Sequence, residues 1–311
     1  MVSSRRTGRD DFNSFRLSYF HDCGNIGRRR HKMPHSSERK LKNHPSHPRS
    51  TGSDFLATYT FRQGRRGLRP EEPQEVGTMT DYRKLAIFYL PGRGALADFG
   101  TAWSGWDPVE AMALPPLAVP GLPSSLAEPG EALGNYGLHG RIKAPFRLID
   151  GVQISTLIAA LDALAARLAA VEASSLSLVR TNGMFALAPA REEIALDLLA
   201  ARIAREVDHF RAPLSVDDTI RRHALRLSGS QRLLLGQWGY PFASPGQDDG
   251  FRLYLTGSLP EDLCDQVQAV LEPLILPLLP KPFCFDRLSL CGEGEDGRFR
   301  LIRQFPLSGS V

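Results

Sequence analysis

The sequence predicts an α+β fold that begins near residue 79 and consists of two similar halves with mainly antiparallel sheets. Three observations carry this expectation. From Met79 onward, short apolar or alternating runs give way repeatedly to amphipathic stretches of helical period. Each half holds a strand bearing functional side chains, a helix and a pair of strands. The dipeptide Asn182-Gly183 falls between two alternating runs, where it marks a hairpin turn.

The elements follow in order. KLAIFYL (84–90) is apolar enough for a buried strand. Residues 107–135, rich in Pro, Gly and Ala, read as a long irregular connection. YGLHGRIKAPFRL (136–148) alternates as a strand does. Ser155 stands where a helix cap is needed, before a stretch with Leu157, Leu161, Leu164 and Leu168 along one face. SLSLVR and MFALAP complete the hairpin, and a second long helix covers about 191–206. In the second half, Ser215 and Asp218 form a capping-box-like start to VDDTIRRHAL. SQRLLLGQWGYPF is a helix ending at the Gly239–Pro241 turn, with Trp238 and Tyr240 as packing residues at its end. FRLYLTG (251–257) is a strand, a helix starts near Pro260, and FCFDRLSLC and FRLIRQFPL are the last two strands.

The net charge of +4 is unevenly spread. Residues 1–78 hold 16 Lys+Arg against 8 Asp+Glu, a net of +8, which leaves −4 for the remainder. The basic character therefore belongs to the N-terminal segment, and nucleic-acid binding is not expected of the globular part. That segment has no sustained hydrophobic period and reads as a disordered basic extension, or as an upstream extension of a reading frame that starts at Met79. No apolar run approaches the roughly 20 residues that span a bilayer, and no secretory signal pattern opens the chain, so a cytoplasmic protein without membrane contact is expected. Cys23, Cys264, Cys284 and Cys291 lack the paired spacing of a metal site, which makes them reduced thiols and leaves no metal or cofactor expected.

Residues i and i+2 of a strand share a face. His139, Arg141 and Lys143 are thus expected side by side on one strand, and Arg252, Tyr254 and Thr256 on another. Brought together, the two strands would line a cleft with cations and hydroxyls, suited to a phosphate or another anion. Trp103 and Trp106 lie in a loop-like stretch that would edge such a cleft, and Arg211 either lines it or supports a loop through an ion pair.

YGLHGRIKAPFRL, DHFRAPLS, QRLLLGQWGYPF and FRLYLTGSL together resemble the phosphonate-operon proteins of the two-histidine (2H) phosphoesterase superfamily. The resemblance runs from about Tyr82 to Leu307. It implies a bilobal fold with two facing lobes, each contributing a His-x-Thr or His-x-Ser strand. One histidine would act as base and the other as acid on a small, often cyclic, phosphodiester, without a metal. Two imidazoles can share those roles near neutral pH.

The chain departs from that pattern at the decisive positions. His139 matches the first histidine, but Arg141 stands at the hydroxyl position. In the second motif, Arg252 or, in a shifted register, Tyr254 falls where the histidine belongs, and Thr256 takes a hydroxyl position. Arginine cannot serve as a base but can bind phosphate, whereas tyrosine can act as an acid. The expected site is therefore His139 and Tyr254 for proton transfer, with Arg141, Lys143, Arg252 and Thr256 for phosphate. His209 and His223 are read as helix-end or surface residues. The function expected is action on, or binding of, a small phosphoester in phosphonate metabolism, with a catalytically silent phosphate-ligand binder as the alternative.

Overall fold

The computed structural model describes residues 82–115, 117, 119–122, 131–181, 183–215, 218, 227–239 and 250–310. The expected extension 1–78, with Cys23, and also His223, Tyr240 and most of the VDDTIRRHAL helix, lie outside these residues.

Strand β1 (Leu85–Tyr89) is buried on both faces, which is why its sequence is an unbroken apolar run. Leu85, Ile87 and Tyr89 enter the main core, while Ala86 and Phe88 join a smaller cluster on the opposite face with Leu90, Cys291 and Phe299. The strand sits inside a seven-stranded antiparallel sheet of order β11-β10-β1-β4-β8-β7-β6. Its other members are β4 (Gly140–Phe146), β6 (Leu176–Thr181), β7 (Met184–Pro189), β8 (Leu253–Tyr254), β10 (Arg287–Glu293) and β11 (Phe299–Pro306). Four strands from the chain's ends and first motif thus meet three strands from its middle at the β4–β8 edge. The two motif strands become neighbours in one sheet.

Helices α1 (Ala95–Ser104), α3 (Ile154–Ala165), α4 (Ile194–Glu206) and α6 (Glu261–Ile275) all bury apolar side chains in the main core. The repeats responsible include Leu157, Leu161 and Leu164, and Cys264, Val267, Leu271 and Ile275, each spaced three or four residues apart. A short helix, α2 (Glu131–Tyr136), lends Tyr136 to the cluster on the opposite face.

Several expectations change. Residues 107–135 are not wholly irregular, because α2 and the small hairpin of β2 (Trp106–Asp107) and β3 (Met112–Ala113) fall there. FCFDRLSLC is two strands: β9 (Phe283–Phe285) leaves the main sheet to pair with β5 (Val171–Ala173), and β10 begins after Asp286. Helix α3 starts one residue before Ser155, with Gln153 at its cap position and no side-chain cap. Ser215 does accept from the Asp218 N–H at 3.0 Å, as the capping-box-like pattern there implies. A reciprocal capping box not anticipated from the sequence lies at α5 (Gly229–Trp238), where Ser228 accepts from the Gln231 N–H and the Gln231 side chain accepts from the Ser228 N–H. The β6–β7 hairpin closes as expected, with Thr181 opposite Met184. Gly183 there has φ +74°, and a Cβ on it would stand 2.8 Å from the Leu259 carbonyl oxygen, so the turn requires glycine.

Candidate phosphoester site

The site is set by one pairing. Gly140 of β4 lies opposite Leu253 of β8. Extending that antiparallel register one residue each way puts Arg141 across from Arg252 and His139 across from Tyr254. Gly140 and Leu253 face the main core, so these four side chains belong to the opposite face. Arg141 is also opposite Phe88, which points that way. Two contacts agree with this placement. The Arg141 guanidinium carbon is 5.7 Å from the Tyr254 ring centre, and Arg252 donates to the Thr181 hydroxyl at 2.5 Å. Arg141, Arg252 and Tyr254 are half-buried.

His139 is different, being 2% exposed. Its ring centre lies 4.4 Å from that of Phe88 and 5.1 Å from that of Tyr136. Nδ1 is 2.9 Å from the Gly137 carbonyl, which can only accept, so Nδ1 carries the proton. The lone pair is then on Nε2, which is buried without a hydrogen-bond partner. Burial, joined by the nearby Arg141 charge and opposed by the Gly137 bond, lowers the pKa to about 3. At neutral pH the ring is an uncharged acceptor and cannot deliver a proton.

Lys143 leaves this group. Between the pairs Phe88–Arg141 and Ile87–Lys143, β4 has one residue more than β1, a bulge. Ile87 faces the main core, and Lys143, opposite it, turns to that side. There, 5% exposed, its ammonium meets Asp208 Oδ1 at 2.6 Å. Arg211 also donates to Asp208, at 2.9 and 3.2 Å, and to the Gln237 carbonyl at 3.1 Å. Burial raises the Asp208 pKa, but the bonds from Arg211 and Lys143 outweigh it and hold the carboxyl below its ordinary value. Lys143 and Arg211 therefore brace the turn after α4, and the expectation that Lys143 shares a face with His139 and Arg141 is corrected by the bulge.

Thr256 is also engaged elsewhere. Its hydroxyl accepts from the Phe185 N–H at 2.9 Å, extending the β7–β8 pairing where the backbone ladder ends. The two tryptophans are ties and not cleft edges: Trp103 Nε1 donates to the Leu255 carbonyl at 2.6 Å, and Trp106 Nε1 to that of Phe299 at 2.8 Å. His209 packs on Phe210, with ring centres 4.0 Å apart. Cys264, Cys284 and Cys291 are free thiols. Among the described residues no three His, Cys, Asp or Glu side chains cluster as metal ligands would, and no helix is long and apolar enough to cross a membrane.

The chain is 27% identical over 242 residues to a protein of Janthinobacterium sp. (strain Marseille) named ribose 1,5-bisphosphate phosphokinase PhnN, covering 75% of this chain and 52% of that protein. It is 31% identical over 161 residues to a protein of the same name from Laribacter hongkongensis (strain HLHK9), covering 51% of this chain and 37% of that one. The chain thus spans about half, or less, of the length of these curated relatives. A solved structure described as a phosphoesterase superposes with a TM-score of 0.32 at 11% identity, covering 73% of this chain and 99% of that one, a likeness too slight to carry an inference. Residues 141–300, just over half of the chain and including β8 and all of β4 but Gly140, match the family model described as protein of unknown function DUF1045, and the chain belongs to that family.

Proposed function

We propose that the chain is a phosphonate-metabolism protein that binds a small phosphoester on the sheet face formed by β4 and β8. The observation that carries this reading is the convergence of Arg141, Arg252 and Tyr254 on adjacent strands. Two guanidinium groups on one face can take the oxygens of a single phosphate in a forked, charge-assisted grip, and a phenol hydroxyl can donate to a third oxygen. His139 Nε2 can accept from a ligand hydroxyl once Tyr136 or the ligand reorders around it. The fold expected for this activity is the bilobal 2H-phosphoesterase arrangement, its two motifs side by side at the β4–β8 junction.

The names of the curated relatives support a phosphorylated-sugar setting. They do not bring the kinase step with them, because this sequence has no Gly-Lys dipeptide and hence no Gly-x-x-x-x-Gly-Lys-Ser/Thr phosphate loop. Isothermal calorimetry with ribose 5-phosphate tests the binding reading. Saturable binding that Arg252→Ala weakens on the order of tenfold is expected, since a charge-assisted bond contributes about 1.5–3 kcal/mol. Absence of heat with any phosphorylated ligand would remove the reading.

Hydrolysis is a second reading, favoured by the buried, unpartnered Nε2 lone pair. Tyr254 would supply the leaving-group proton and His139 would accept one from water. Each such role is worth about 10²–10⁴-fold. Turnover of a cyclic phosphodiester that disappears in His139→Ala would establish it, and equal turnover in both proteins would exclude it.

A further inference from the structure

A cavity of about 630 Å³ opens at the end of β1. Leu90, Arg287 and Gln304 line it from the sheet, the loop 91–94 and the first turns of α1 form one wall, and the turn after β2 forms another. Leu138 closes the side toward β4. The rings of Phe88, Tyr136 and His139, packed on one another, stand between this cavity and the arginine pair, so the two are separate. Cavities of roughly 300–1,000 Å³ enclose small ligands.

Most of the charges around it are already matched. Arg93 meets Glu110 at 3.1 Å, an exposed pair that joins the two walls. Asp107 accepts from the Val109 and Glu110 N–H groups at 2.8 and 3.1 Å and so shapes the turn. Three polar side chains keep capacity to spare. Arg287 donates to Asp286 from Nε and Nη2, at 2.7 Å each, which holds the guanidinium in place and leaves both Nη1 N–H groups without a bond to any described residue. One face of that group is bare as well, because a Cβ on Gly92 would stand 3.5–3.6 Å from it and glycine has none. Asp98 and Thr101, one turn apart on α1, bring a carboxylate and a hydroxyl that bond no other described side chain or backbone group.

These open groups are of opposite sign and come from different elements. A simple anion at Arg287 would meet the carboxylates of Asp98 and Asp107, and a simple cation at Asp98 would meet Arg287. A ligand carrying both charges satisfies both. Leu90, Leu138 and Val109 make the rest of the lining apolar, and Val109 is 43% exposed, high for a large hydrophobic side chain. We propose that the cavity binds a small zwitterion, a carboxylate and an ammonium group joined by a short hydrocarbon chain. The carboxylate accepts from Arg287 Nη1, the ammonium donates to Asp98 and Thr101, and the chain lies against Leu90, Leu138 and Val109. This second site is independent of the phosphoester reading.

Isothermal calorimetry on the full chain tests it with the ω-amino acids from β-alanine to 6-aminohexanoate, each against the amine-free acid of the same length, propionate to hexanoate. Two anchors a fixed distance apart select one chain length, so affinity is expected to peak within the series. The best amino acid should bind about fivefold tighter than its amine-free counterpart, the upper end for a partly exposed ion pair. Asp98→Asn should abolish that advantage with an unaltered melting temperature, because the Asp98 side chain ties nothing together in the free protein. Arg287→Gln should weaken both members of the pair. Saturating ribose 5-phosphate should leave the amino acid's affinity as it was. Absence of binding across the series, equal affinity with and without the amine, or an advantage that survives Asp98→Asn would overturn the proposal. Displacement of the amino acid by ribose 5-phosphate would overturn it too, by showing that the ligand sits at the arginine pair.

Discussion

His139 shows how burial settles the chemistry that a residue can perform. Its Nδ1–H is tied to Gly137, its ring is packed between Phe88 and Tyr136, and the Arg141 charge stands close by. All but the Gly137 bond penalise the imidazolium. The folded protein thus holds this pKa near 3, against about 6.5 in an unfolded chain. Between those values the unfolded state binds more protons than the folded state, so stability falls as pH drops through the window and is fully retained above it. The slope approaches 1.36 kcal/mol per pH unit where His139 alone titrates. Urea unfolding at pH 7, 6, 5 and 4 should therefore show a loss in the wild type that is shallower in His139→Gln by that histidine's share. Identical slopes in the two proteins would mean that His139 is not sealed. Nitrogen chemical shifts give a second view, with the Nδ1–H tautomer persisting from pH 7 down to pH 5.

At the scale of elements, the bulge in β4 sorts the functional side chains. One additional residue between Arg141 and Lys143 sends the arginine to the face it shares with Phe88 and the lysine to Asp208, beside the turn after α4. Lys143 is nearly fully buried, and Asp208 is its charge partner. Removing one member of such a pair leaves a desolvated charge, a loss of about 3–5 kcal/mol. Asp208→Asn should therefore destabilise the fold by roughly 3 kcal/mol in urea, the lower end, because Asp208 keeps some solvent contact. Adding Lys143→Met should recover at least half of that loss. If the double variant is no more stable than the single one, the lysine charge is not the source of the cost. This bulge also marks what the sequence could and could not disclose. An unbroken apolar run revealed β1, alternating runs revealed β6 and β7, and helical-period stretches revealed α3, α4 and α6. The face shared by Arg252 and Tyr254, and that shared by His139 and Arg141, followed from period two alone. The side taken by Lys143 depends on the register against β1, and the use of the Thr256 hydroxyl depends on where the β7–β8 ladder ends. Neither is encoded within its own segment. The split of FCFDRLSLC was hidden for the same reason, since β9 is defined by its partner β5, more than a hundred residues earlier.

The whole molecule hinges on how the two strand groups are joined. Gly140 and Leu253 form the pairing between β4 and β8, and the proposed phosphate grip straddles it. The join is tight because Gly140 has no side chain. A Cβ there would lie 2.5 Å from Phe251 Cε2 and 2.7 Å from Cζ. That ring cannot easily yield, since Tyr89, Phe283 and Phe285 surround it with ring centres 5.5–5.7 Å away. Gly140→Ala should accordingly push β8 away from β4 and cost about 1–3 kcal/mol, the usual penalty for overpacking a close-packed core. The functional consequence differs from that of a general loss of stability. Widening the join moves Arg252 away from Arg141 without altering either residue, so phosphate affinity should drop in proportion to the lost geometry, even at temperatures where the variant is fully folded. A companion substitution of similar thermodynamic cost but remote from the join, Leu161→Ala in α3, should lower the urea midpoint and leave ligand affinity as it was. If both variants bind ribose 5-phosphate like the wild type, the two arginines do not act as one grip across the β4–β8 join. If Gly140→Ala alone loses binding, the junction of the two halves is what builds the site.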